Sequence, residues 1–98
     1  MDTHIVHLSL IALALTAPKP PAVVSIERAC GSCHRSSVAT AKSEALAAFD
    51  LDQDRWEASL TRDQWQAFER RVKGTAALDA AQRAAVLEWV RQVSAAAD

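Results

Sequence analysis

Cys30-Gly31-Ser32-Cys33-His34 contains the only two cysteines of the chain. Two thiols three residues apart fall on one turn of backbone, and an imidazole follows directly. Upstream, residues 22–30 (AVVSIERAC) contain good helix formers and no breaker. Val23, Ile26 and Cys30 recur there at i, i+3 and i+7, which places them on one face of a helix. Gly31 and Ser32 weaken that helix at its end. The motif therefore stands at the exit of a helix, and no strand-like run precedes it.

The sequence after the motif is helical as well. A short helix is predicted around Thr40 to Phe49, with Leu46 and Phe49 at i, i+3. Residues 50–54 (DLDQD) read as a polar connection. Thr61-Arg62-Asp63-Gln64 has the form of a capping box, in which a Thr side chain and a Gln side chain satisfy each other's orphan backbone N–H groups. Trp65, Phe68 and Val72 follow at i, i+3 and i+7, and Gly74 supplies a stop. A last helix opens at Asp79, an N-cap type, and runs to about Ala95. Its apolar face is Val86, Val90 and Val93, with Leu87 and Trp89 beside it.

Composition agrees with an all-α domain. The chain has 98 residues, of which 50% are hydrophobic and 23% charged, an ordinary globular balance for one domain at most. Only two Gly and three Pro are present, too few turn residues for a sandwich or barrel of many short strands. The formal charge is -1, which disfavours a nucleic-acid binder held by phosphate contacts.

The N-terminal residues are set apart from this domain. Residues 5–17 (IVHLSLIALALTA) are uncharged and mostly apolar, but shorter than the roughly 20 residues of a membrane span. They fit the apolar region of a secretory signal, and Ala12-Leu13-Ala14 offers a small-x-small cleavage site. No Lys or Arg precedes the run; Asp2, His4 and His7 flank or interrupt it. Residues 1–17 are thus expected to be a secretory signal or a short N-terminal tether to a membrane. Residues 18–21 (PKPP) are expected to be a linker, because proline cannot continue a helix. Residues 22–98 form the working domain. A core alone is marginal at that size, and small domains commonly add a staple.

Four chemistries compete for the Cys30–His34 motif. A thioredoxin-like redox pair needs a βαβ context, which is missing. A zinc site needs four ligands, and beyond Cys30, Cys33 and His34 the remaining histidines are His4 and His7 in the leader. A disulfide across two residues leaves His34 unexplained. Haem attachment uses all three side chains: each thiol adds to one of two neighbouring vinyl groups, and the next imidazole lies under the iron as proximal ligand. Covalent haem would also supply the staple and add apolar core volume.

At these residues the chain resembles the small monohaem cytochromes c. Ala22 and Ile26, eight and four positions before Cys30, match the small and apolar residues that the family places there. Trp89, in Val86-Leu87-Glu88-Trp89-Val90, matches the aromatic that packs where the family's last helix crosses its first. The resemblance covers about Ala22 to Val93, and its specific part is the Cys30–His34 motif. It implies a cytochrome c-like fold of three to four helices around one covalent haem c. Cys30 and Cys33 would hold the cofactor and His34 the iron. The activity implied is transfer of single electrons to redox partner proteins rather than enzyme catalysis, alone or as part of a redox chain. The place implied is the bacterial periplasm or another exported compartment, where haem attachment occurs.

Two features depart from the family. Many members offer a methionine as sixth ligand after a Trp-containing helix, whereas this chain has Val72 at that point and no Met after Met1. Lys73 is the best remaining side chain, opposed by the cost of deprotonating a group with a pKa of about 10.4. The default expectation is a vacant or water-occupied distal site walled by Phe68 and Val72. Members also tend to have a proline after the proximal histidine, whose neighbouring carbonyl holds the imidazole; no proline follows Pro21. A five-coordinate haem binding a diatomic gas or a peroxide is the alternative function. A haem-free exported module using the two thiols for metal or disulfide chemistry is the other.

The remaining candidates read more simply. Asp50, Asp52 and Asp54 have the first spacings of a calcium loop, but Arg55 and Thr61 stand where Gly and Glu are required, so a solvated acidic loop is expected. Arg70, Arg71 and Lys73 form a basic run on a solvated helix face, with haem carboxylates as the functional alternative. Trp56, Trp65 and Trp89 are expected in the core or the haem pocket.

Overall fold

The computed structural model describes residues 19–97. The expected leader and Pro18 lie outside the described residues; Lys19 and Pro20 precede the first helix, which takes in Pro21 of the expected linker because proline suits a first helical position. Four α-helices are present: α1 (Pro21–Cys30), α2 (Ser43–Ala48), α3 (Arg62–Gly74) and α4 (Ala80–Ser94), with a 3₁₀ turn at Trp56–Ser59. No strand occurs among the described residues, so the domain is all-α. No described helix is long and apolar enough to cross a membrane.

Each helix begins for a local reason. α1 starts on Pro21, whose fixed φ suits a first helical position and whose missing N–H would be an orphan there anyway. α3 has the reciprocal box expected at Thr61: its hydroxyl accepts from Gln64 N–H at 3.2 Å, and Gln64 Oε1 accepts from Thr61 N–H at 2.8 Å. α4 has a second box that the sequence reading took as a single cap. Asp79 accepts from Gln82 N–H at 2.8 Å and Gln82 returns the bond at 2.9 Å.

The core lies where α4 packs on both α1 and α3. Ile26 on α1 and Val86 on α4 are the largest fully buried side chains, at 1% and 0% exposure. The first and last helices therefore pack together, as expected. α1 buries Ala22 and Ile26, at i and i+4, while Val23 is only half-buried. Trp65, Phe68 and Val72 of α3 are buried as their spacing predicts. Trp89 is half-buried, and its indole packs on Trp56 at 5.9 Å and Trp65 at 5.9 Å between ring centroids. Trp56, Trp65, Phe68 and Phe49 continue this aromatic cluster at centroid distances of 5.2 to 6.3 Å. Such pairs add to the area they bury when tilted or edge-on.

Gly74 does not stop α3 by a left-handed cap, since no glycine has positive φ among the described residues. Arg83 does that work from α4. Its Nη1 donates to Val72 O and Thr75 O, both at 2.9 Å, and its Nη2 donates to Leu78 O at 2.8 Å. Orphan carbonyls at a helix end need such partners, and a cation there also answers the helix dipole. Arg83→Met should therefore lower unfolding stability by about 1–3 kcal/mol, the range for hydrogen bonds made by a charged group. Trp65→Ala should cost about 3–5 kcal/mol through lost core volume. Urea unfolding of each variant followed by circular dichroism checks both; a cost below about 0.5 kcal/mol for Arg83→Met would remove the capping role.

Candidate functional site

α1 ends at Cys30 and the chain then coils tightly. Gly31 N–H donates to Glu27 O at 3.0 Å, Cys33 N–H to Cys30 O at 3.3 Å and His34 N–H to Cys30 O at 3.0 Å. Gly31 is buried, and a Cβ there would collide with the Glu27 carbonyl oxygen. Only glycine fits that first intervening position without moving backbone. The coil leaves Cys30, Cys33 and His34 half-buried and the two thiols unpaired. Burial pushes the Cys30 thiol up from its ordinary value; the Arg71 charge opposes that rise and the Cys33 thiol adds to it.

His34 is held from two directions by one residue. Its Nδ1 lies 3.1 Å from Phe49 O. A carbonyl only accepts, so Nδ1 carries the proton and Nε2 is the free lone pair of the neutral ring. The Phe49 ring stacks on the imidazole at 3.8 Å between centroids and 3° between planes. Phe49 rests in turn on Trp56 and Phe68, which anchors the site on the core. The imidazole is thus held by the carbonyl of Phe49, fifteen residues along the chain, with no proline involved.

The segments around His34 and Phe49 are laced together. His34 O accepts from Leu51 N–H at 2.7 Å. Asp50 Oδ1 accepts from Ser36 N–H at 3.1 Å and from Asp52 N–H at 3.0 Å, and Asp52 Oδ2 accepts from Ser37 N–H at 2.8 Å. Arg35 bridges Asp52 at 2.9 Å and Glu27 of α1 at 3.2 Å, and Lys19 reaches Glu27 at 2.6 Å. Lys42 N–H donates to Cys33 O at 3.1 Å, which brings the start of α2 against the motif. Asp50 and Asp52 are therefore neither calcium ligands nor merely solvated. Their carboxylates clamp the loop that follows His34, and Asp54 takes no part in the clamp.

These bonds set a pH dependence. Ser36 holds Asp50 below the usual carboxylate range, Ser37 does the same for Asp52, and the Lys19 bond does so for Glu27. A carboxylate depressed in the fold stabilises fully above its unfolded pKa of about 4 and loses that contribution as pH falls through the lower folded value. The loop should stay closed at neutral pH and open in acid. Amide-exchange protection of Ser36 and Ser37, followed from about pH 6 to about pH 3, should fall before that of Val86 and Val90 in the core. Simultaneous loss would show that the clamp has no separate stability.

The donor set suits a haem. The turn presents two thiols, and the third side chain has its Nδ1 bonded to a backbone carbonyl, the usual arrangement of a metal-binding histidine. No three His, Cys, Asp or Glu side chains converge closely enough to hold a bare metal ion among the described residues. Val38 and Leu46, from segments bonded to the motif, are half-buried and lie outside the core cluster. Val72 is 4% exposed on α3. Lys73 is 60% exposed and pairs with Glu69 at 3.1 Å, so the candidate sixth ligand stands in a surface ion pair. Arg70 and Arg71 are exposed beside it. No family model, curated protein or solved structure matches this chain.

Proposed function

We propose that the chain carries one covalent haem c and transfers single electrons. Cys30 and Cys33 would hold the haem through thioether bonds, and His34 Nε2 would bind its iron. The observation that carries this reading is the Phe49 carbonyl on His34 Nδ1, which frees Nε2 in the turn that follows Cys30 and contains Cys33. When bound, the haem supplies a one-electron Fe(II)/Fe(III) couple. Phe49 O draws on the Nδ1 proton and makes Nε2 a stronger donor, which would favour the oxidised state of a bound iron. The Phe49 ring fixes the imidazole's rotation, and the Trp56–Phe68 side keeps water from that face. The proposal includes export, with residues 1–17 as signal or tether, and a redox partner protein.

A vacant sixth position is the second reading, and the places of Val72 and Lys73 favour it. Valine offers no donor, and Lys73 would have to leave Glu69 and lose its proton before it could bind iron. Such a site would take a diatomic gas or a peroxide. Of the haem-free readings, a bare-metal site at the thiols gains no support, because no three such donors converge among the described residues.

Coexpression with a haem-attachment system should yield a coloured protein whose Soret band survives acid-acetone extraction. Cys30→Ala/Cys33→Ala should abolish that covalent colour, and a colourless native chain would sink the haem reading. Reduced native protein should be high-spin and should change its spectrum on adding CO. A sharp low-spin band untouched by CO would refute the vacant position, and its loss in Lys73→Ala would identify the lysine as ligand.

A further inference from the structure

The C-terminal half of α3 carries a second feature, on the side away from its buried stripe. Ala67, Arg70, Arg71, Gly74 and Thr75 line an open groove of about 570 Å³. The cations around it differ in what occupies them. Lys73 is neutralised by Glu69. Arg83 is committed to the carbonyls of Val72, Thr75 and Leu78. Arg70 and Arg71 are exposed, and no ion pair among the described residues uses either. Two neighbouring unpaired guanidiniums are a local excess in a chain whose formal charge is -1.

The groove is open to a ligand as well as charged. A Cβ on Gly74 would meet nothing within 4 Å. Thr75 Oγ1 accepts from Ala77 N–H at 3.2 Å, which leaves the hydroxyl proton to donate. A helix C-terminus ordinarily repels anions. Here Arg83 covers the Val72 and Thr75 carbonyls, so the negative end of α3 is already answered.

We propose that the Arg70–Arg71–Thr75 groove is a docking site for carboxylate side chains of an acidic partner protein. A guanidinium fork binds a carboxylate in two parallel hydrogen bonds. Nucleic acid would require a longer basic stripe and a basic domain. Haem carboxylates are the competing occupant. Electrostatic attraction to the two exposed arginines would raise the rate of encounter with an acidic partner. The proposal stands whether or not the chain carries haem.

The test titrates hexaglutamate peptide into the full chain and follows backbone amides by NMR. Shifts should concentrate at residues 67–75. Affinity should fall about tenfold when salt is raised from about 20 to about 200 mM, as expected for an exposed charge contact. Arg70→Gln/Arg71→Gln should weaken binding about tenfold, and Arg62→Gln/Arg91→Gln should leave it unchanged. Shifts spread evenly over all basic residues would overturn the proposal. Equal binding by the Arg70/Arg71 variant, or equally tight binding of a DNA oligonucleotide of the same charge, would do so too. Loss of peptide binding in haem-loaded protein alone would assign the arginines to the haem carboxylates and overturn it as well.

Discussion

The hydrogen bond between His34 Nδ1 and the Phe49 carbonyl ties the motif to the rest of the domain. It joins the turn that ends α1 to the loop that follows α2. Through the ring of the same residue it joins both to the aromatic cluster of Trp56, Trp65, Phe68 and Trp89. The imidazole's tautomer, the direction of its free nitrogen and the packing of the loop are therefore one structural variable. A displacement of Phe49 moves all three.

Stability is divided between two kinds of interaction. The junction of α4 with α1 and α3 is apolar, and none of its buried residues is polar or charged. The region around the motif is held by hydrogen bonds and ion pairs of partly exposed groups instead. Surface ion pairs contribute little each and are screened by salt. The Arg35–Asp52–Glu27 set acts mainly by geometry, fixing where the chain runs after His34. This division leaves a half-buried motif on a firm helical base, with its loop the part that responds to acid.

The helices were legible because their signals are local. The capping box at Thr61 and the i, i+3, i+7 spacing of Trp65, Phe68 and Val72 are read within one short window. So was the motif, since its residues are contiguous. The partners of the motif were not legible, for a physical reason. His34 bonds a backbone carbonyl, and any residue at position 49 carries one, so no side-chain identity announces it. Asp50 and Asp52 likewise meet backbone N–H groups of Ser36 and Ser37, fourteen and fifteen residues away. Their spacing suggests a cation loop only because the N–H groups that use them are out of view. Gly74 does mark the end of α3, as its residue type suggested, but that end is secured by Arg83 from the next helix and not by a left-handed cap.

The Phe49 carbonyl is aimed without a proline. A proline ring would preset φ and so aim a carbonyl. A carbonyl can also be aimed by restraining its residue on both sides. Phe49 N–H donates to Ala45 O at 3.1 Å, which fixes the residue to the end of α2. The next two residues are fixed by Asp50 Oδ1 to Ser36 N–H and by Leu51 N–H to His34 O. Phe49 itself is extended, at φ -166° and ψ 156°, so it bears no backbone strain. The carbonyl is thus aimed by its neighbours' hydrogen bonds, and the side chain at 49 is released from that duty. An aromatic ring can then stand where a proline would have been, and it is the ring that stacks on the imidazole and couples the site to the core.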